Sequence, residues 1–285
     1  MSISKTFRRA ALACVASLAM AGIVRANNIF AVSGPNVSYS GGEIDVQSPD
    51  PIAPTAWFFG TPVISGLNDL NFTSDISSTP KPINFRVITP GFERLEDGTL
   101  AVNVATTNPL GSIALMSIVE GGDYLIQNAT AASTAAAVLN ITSVKITSIN
   151  GLAVNTISLV PAEIAESFSH PSGGGPAIIN SNSILFSGAG PLVTGTWQAD
   201  ASFNLTAALN RTGHNGQRVT GLQIVLDDII SGTAEANALV EITKKDFLLS
   251  VSSNPVPEPA SIVMGVLGSL SLAVVGLRKK FAKVA

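Results

Sequence analysis

Carboxylates lie close together in this chain at three places: Glu43 with Asp45, Glu96 with Asp97, and Asp227 with Asp228. Two kinds of chemistry use such pairs. Oxygen-rich loops bind Ca²⁺, and two acids flanking a glycosidic bond can hydrolyse it. Neither pattern is completed, because the spacing of an EF-hand loop is absent. Neighbouring acids on a strand point to opposite faces, so Asp227 and Asp228 could share a site only across a bulge. All three pairs read as solvated surface charge.

Other reactive side chains are sparse. His170 precedes Pro171 and a glycine run, and His214 sits among turn residues, so both read as exposed loop residues. No H-x-x-x-H or H-E-x-x-H pattern supports zinc, and neither a G-x-S-x-G elbow nor a phosphate-binding glycine loop occurs. Cys14 is the only cysteine, and it lies in an N-terminal apolar stretch. The body after it can form no disulfide and no Cys-ligated metal site. The sequence thus calls for no metal and no cofactor. Trp57, Phe58 and Phe59 form the best candidate platform for stacking a sugar ring, although such a cluster equally suits a core.

Charge is distributed unevenly. Eight of the 16 Lys and Arg lie in the first 26 or last eight residues, whereas 18 of the 19 Asp and Glu lie in residues 27–254. That body carries a net charge of −10. Such a surface repels phosphate backbones, which argues against nucleic acid as a partner.

The N-terminal 26 residues have the three parts of a secretory signal. Lys5, Arg8 and Arg9 form a positive start, residues 10–24 are apolar, and Val24-Arg25-Ala26 offers a cleavage site between Ala26 and Asn27. As a helix the apolar part would span about 22 Å, short of a bilayer core of roughly 30 Å. The reading is a cleaved signal peptide, with signal peptidase as a partner.

The C-terminal end reads as a second address. Residues 260–277 carry no charge, and as a helix they would reach roughly 27 Å, enough to cross a membrane with flanking residues snorkelling. Arg278, Lys279 and Lys280 follow, and Lys283 lies just beyond. Cytoplasmic helix ends hold Lys and Arg, so this helix points its C-terminus inward while the signal sends the body outward. Before the helix, Pro257 and Pro259 hold Glu258 in extended backbone, easily gripped by an enzyme. Ser261, Gly265, Ser269 and Ala273 recur every four residues and form a helix face of small side chains on which another helix could dock.

Together, Val256-Pro257-Glu258-Pro259, the apolar helix and the basic cluster resemble the PEP-CTERM sorting signal of exported proteins of Gram-negative bacteria. The resemblance covers roughly the last 30 residues, and only the tail. It implies an intramembrane exosortase that recognises Pro257, Glu258 and Pro259, with Arg278, Lys279 and Lys280 as the stop signal. It also implies anchoring in the inner membrane before sorting to the cell surface or the medium.

The elements between the two ends are mostly strands. In "GTWQADASFNLTAALN", apolar residues alternate from Trp197 through Ala199, Ala201, Phe203, Leu205 and Ala207 to Leu209. Period two predicts a half-buried strand over this run, bent near Asp200. "VTGLQIVLDDII" returns with Leu222, Ile224 and Leu226 on one face, which predicts a hairpin through "RTGHNGQ". Asn150-Gly151 predicts a two-residue hairpin turn, and Asp97-Gly98 and Gly121-Gly122 predict further turns. "ANALVEIT" and "DFLLSVSS" read as two strands, "NATAASTAAAVLN" as a short helix, "HPSGGGP" as a loop, and the proline-rich run to Pro62 as a loop or edge.

The expected fold is a mostly β, antiparallel β-sandwich or jelly-roll-like body over residues 27–254. A signal peptide (1–26) precedes it, and a sorting tail with one transmembrane helix (255–285) follows. The expected function is an exported cell-surface or extracellular-matrix protein, structural or binding in role. The alternatives are a carbohydrate-binding module for the cell's own polysaccharide and an extracellular glycoside hydrolase.

Overall fold

A run in which every second side chain is apolar buries one face when extended, and this pattern dominates the chain. The computed structural model describes residues 29–47, 59–72, 86–90, 93–108, 110–129 and 133–254. Outside them lie the expected signal segment with Ala26 and Asn27, most of the proline-rich run with Trp57 and Phe58, and all of the expected tail 255–285. The chain divides into two compact units, residues 1–253 and 254–285. Of the second, only Asn254 is among the described residues.

The first unit is mostly antiparallel strand. In chain order the first strands are β1 (Ile29–Ser33), β2 (Val37–Gln47), β3 (Val63–Ser65), β4 (Asp69–Asn71) and β5 (Arg86–Pro90). Next come β6 (Glu93–Thr106), β7 (Ser112–Ala129), β8 (Thr134–Ile149), β9 (Leu152–Ser158) and β10 (Ile164–Gly173). The last are β11 (Ala177–Ile179), β12 (Ser183–Ser187), β13 (Gly190–Phe203), β14 (Val219–Thr233) and β15 (Leu239–Asn254). One short helix, α1 (Leu205–Arg211), lies between β13 and β14.

These strands form two sheets. The eight-stranded sheet runs β1-β2-β6-β14-β8-β12-β11, with β9 also on β8. The seven-stranded sheet runs β10-β13-β7-β15-β4-β3, with β5 also on β15. Inward side chains of both sheets make one core, including Leu100, Val102, Ile146, Leu222, Ile224 and Leu226 from the first and Met116, Ile118, Trp197, Val240 and Ile242 from the second. Four phenylalanines, Phe30, Phe59, Phe72 and Phe247, meet edge to face within it, with centroids 5.4–6.5 Å apart.

The Asn150-Gly151 turn forms as expected. Both residues take positive φ, 52° and 81°, and β8 and β9 pair across them from Ile149 to Leu152. That backbone matches the strand twist, and Asn and Gly tolerate it best.

Two other predicted turns are strands instead. Asp97-Gly98 lies inside β6, paired with Ile229 and Asp228. Gly121-Gly122 lies inside β7, which continues for 18 residues. Gly122 answers to space, because a Cβ there would come within 1.8 Å of the Thr243 carbonyl oxygen and 2.8 Å of the Trp197 indole nitrogen. A glycine that admits neighbouring groups is indistinguishable in sequence from one that allows a turn.

The predicted helix near Ala135–Ala137 is strand β8, where Ala135, Ala137 and Leu139 face the core. Alanine's helix propensity yields to pairing with β14 on one side and β12 on the other. "HPSGGGP" is only partly a loop, since β10 runs to Gly173. "ANALVEIT" and "DFLLSVSS" belong to the single strand β15.

The long alternating run stops short of its prediction. Trp197, Ala199, Ala201 and Phe203 are buried on β13 as expected, and pairing with β7 passes Asp200 without a register shift. The chain turns at Asn204, whose side-chain oxygen accepts the Ala207 N–H at 2.9 Å and caps α1. Leu205, Ala208 and Leu209 then bury at helical spacing. A capping Asn offers the backbone an alternative to further extension. Helix α1 also carries the chain between sheets, so β13 and β14 do not form the expected hairpin.

Candidate functional site

The inward face of β14 carries Leu222, Ile224 and Leu226, then Asp228, then Ile230. Alternation alone forces this acid into the core, while Asp227 points outward and accepts a hydrogen bond from Thr99 at 3.0 Å. The two acids thus face opposite ways, as strand geometry requires, but Asp228 is not solvated. Glu43, Glu96 and Asp97 are buried too, which corrects the reading of these pairs as surface charge. The side chain of Asp45 lies outside the described residues.

Asp228 meets charge from the facing sheet. Met116, Ile118 and Glu120 share the inward face of β7, and Val240, Ile242 and Lys244 share that of β15. Lys244 Nζ contacts Asp228 Oδ2 and lies 2.5 Å from Glu120 Oε2. Lys244 and Glu120 are each 1% exposed and Asp228 2%, so bulk water does not reach the cluster. The ammonium also lies 4.8 Å from the Phe59 ring centroid and 4.6 Å from that of Phe247. Phe59 in turn donates its backbone N–H to Glu43 Oε1 at 2.6 Å. A cation over two aromatic faces in a dry core is held by their quadrupoles as well as by its ion pairs.

Charge balance sets the protonation. Two ionised acids and one ammonium would leave a net negative charge in low dielectric, which is costly. Burial pushes Glu120 well above the usual carboxylate range, and the neighbouring charge of Asp228 adds to it while Lys244 pulls the other way. Burial raises Asp228 as well, against the pull of Lys244. For Lys244 burial acts downward, but Asp228 and Glu120 outweigh it and hold the amine charged. The favoured state is a protonated Glu120 beside a Lys244–Asp228 ion pair, neutral overall. Asp228 Oδ1 has no hydrogen-bond donor, so the acid is held through its other oxygen.

Sequence reasoning missed Glu120 and Lys244, because neither stands in a recognised motif. Their one signal was position: each continues an inward apolar series at period two. A charge at a core position of a strand needs a partner on the facing sheet.

His170 is not a loop residue. It lies on β10, half-buried, with Nε2 3.0 Å from the Tyr124 hydroxyl. That hydroxyl donates to the Gly174 carbonyl at 2.8 Å, so the His170 Nε2–H is the donor to it. Tyr124 stacks on Phe186 at 3.8 Å, and the imidazole meets the edge of the same ring. Burial raises the Tyr124 hydroxyl above its usual value. His214 lies in a turn, 3.3 Å from Gln217 Oε1.

Every described Phe, Tyr and Trp is buried, Phe59 included. Phe59 therefore cannot serve as a stacking platform, and Trp57 and Phe58 lie outside the described residues. A depression of about 260 Å³ is lined by Gly121, Asp123, Pro171, Thr196, Gln198 and Lys245 among others, with an exposed Lys245–Asp123 ion pair. Among the described residues no three His, Cys, Asp or Glu side chains are grouped to hold a metal ion, and no helix is long and apolar enough to cross a membrane.

No protein-family model and no curated protein matches the chain. Among solved structures, the family GH12 endoglucanase 3 of Trichoderma harzianum is 11% identical over 82% of this chain and 99% of its own, with a TM-score of 0.19. The VP2 subviral particle of infectious bursal disease virus is 11% identical over 85% of this chain and 59% of its own, with a TM-score of 0.12. Likenesses this weak carry no argument about fold or activity.

Proposed function

We propose that this chain is an exported cell-surface or extracellular-matrix protein, structural or binding in role, whose β-sandwich body is delivered by a PEP-CTERM-type tail. The observation that carries the proposal is the order of residues at the C-terminal end. Pro257-Glu258-Pro259 is followed at once by the uncharged 260–277 and by Arg278-Lys279-Lys280. The N-terminal signal agrees with it in direction. The partners are signal peptidase, a sorting enzyme of the exosortase kind, and the membrane. Extracellular polysaccharide is the candidate ligand outside the cell.

The body supports a non-enzymatic role. A glycoside hydrolase needs sugar and water between its two acids. Glu120 and Asp228 instead close on Lys244 beneath phenylalanine rings.

The test is Glu258→Ala in the exporting bacterium, with membrane and medium fractions blotted for the protein. Removing the gripped charge should trap full-length chain in the inner membrane. Normal release would overturn the sorting assignment. N-terminal sequencing of the exported form should begin at Asn27.

A further inference from the structure

We propose that Lys244 and Asp228 join covalently, forming an amide between Lys244 Nζ and Asp228 Cγ with Glu120 as the proton shuttle, so that the two sheets are stapled through their side chains. Three features of the core point to it. The amine and the acid are in direct contact, from β15 in one sheet and β14 in the other. A second carboxyl reaches the same nitrogen at 2.5 Å. Phe59 and Phe247 flank that nitrogen, and the group is almost fully closed to solvent.

Each feature has a chemical use. An ammonium is no nucleophile, but in low dielectric a neutral amine and a neutral acid compete with the ion pair, whose two charges lose hydration. Lys244 passes one proton to Asp228 within their contact. The freed amine lone pair attacks Asp228 Cγ while the protonated Glu120 donates to the carbonyl oxygen. The tetrahedral carbon then loses its hydroxyl, which leaves as water with a proton relayed by Glu120 from the attacking nitrogen. As the water departs, the remaining hydroxyl returns its proton to Glu120 and the amide carbonyl re-forms, so Glu120 ends protonated as it began. The balance is one ammonium and one carboxylate consumed, one amide and one water formed, with no oxidant, reductant or activated co-substrate. Holding the two groups together replaces a bimolecular step by an intramolecular one. The product removes both buried charges, and the dry aromatic surroundings withhold the water that would reverse the reaction.

The location gives the bond a purpose. β15 is the last strand before the proposed tail, and tension along the tail would enter the body at its end. A bond at Lys244 stops β15 from peeling beyond that residue without breaking a covalent link to β14. The chain's single cysteine, Cys14, lies in the signal segment, so no disulfide could do this for the body.

Peptide mass spectrometry on the purified full-length chain tests the proposal. Trypsin should leave residues 219–245 as one peptide, lighter by one water and uncut after Lys244. Adding a Glu-specific protease, which cuts after Glu235 and Glu241, should leave residues 219–235 and 242–245 joined as a branched peptide. Lys244→Arg keeps the charge and should give no linked product. Glu120→Gln should slow linkage by about a hundredfold or more. Asp228→Asn is not a null variant, because its amide can form the same bond with ammonia as the leaving group. Separate wild-type peptides at unmodified mass, with cleavage after Lys244, would overturn the proposal and leave an ion pair only. This reading needs no variant, so misfolding of a mutant does not blur it. Full linkage in Glu120→Gln would remove Glu120 from the mechanism.

Discussion

Trp197 lies directly opposite Gly122 in the ladder between β13 and β7, and its indole occupies the space that a side chain at 122 would need. On the other side, the Thr243 carbonyl oxygen lies 1.8 Å from where a Cβ would stand. Gly122→Ala should therefore force either the indole or β15 to move, at a cost of about 3 kcal/mol or more. Gly174→Ala is the matched control, because nothing lies within 4 Å of its Cβ position. It should change stability by no more than about 0.5 kcal/mol. Thermal or denaturant unfolding of the two variants checks this, and equal stability would show that β15 does not press on Gly122.

What could be read in the sequence follows from which physical rule acted alone. Period-two alternation predicted the inward faces of β13 and β14 because burial alone decides them. Gly121-Gly122 and the Ala135–Ala137 stretch were misread because local propensity there yields to strands far away in sequence. The charged core was hidden for the same reason. Asp228 was visible as half of an acidic pair, but Lys244 and Glu120 gain meaning only once β15 and β7 face β14.

The Arg211–Glu163 pair offers a pH test. Arg211 Nε donates to Glu163 Oε1 at 2.8 Å and Nη2 to Oε2 at 3.0 Å, while Nη2 also donates to the Ser158 carbonyl at 2.8 Å. The Arg211 hydrogen bonds hold Glu163 below its ordinary value of 4.5, outweighing burial, with help from the Val160 N–H. A lowered folded value means that the stabilisation is fully present above 4.5 and is lost as pH falls through the folded value. Wild type should melt above Glu163→Gln at neutral pH, and the gap should close on acidification below 4.5. A gap independent of pH would mean that the ionised carboxylate contributes nothing.

Asn204 separates the strand from the helix. If it caps α1, Asn204→Ala should cost about 1 kcal/mol, and Asn204→Asp should retain most of the stability because its carboxylate also accepts from the Ala207 N–H. An exposed residue in a continuing strand would tolerate both changes equally. Chemical denaturation midpoints at unchanged slope give the comparison.

The last prediction concerns the tail. Ser261, Gly265, Ser269 and Ala273 fall on one face of the proposed helix over residues 260–277. In lipid there is no hydrophobic drive between helices, so close backbone approach across small residues supplies the attraction. Such a face is where the sorting enzyme would dock, bringing Val256–Pro259 to its active site. Gly265→Leu combined with Ser269→Leu keeps the segment apolar, so insertion should persist while docking fails. Full-length protein should then accumulate in the inner membrane and the released form should fall, as for Glu258→Ala. Insertion is checked separately by resistance of the membrane-bound chain to carbonate extraction. Normal release of the double variant, with Glu258→Ala still blocked, would keep the Pro-Glu-Pro recognition and remove the small-residue face from it.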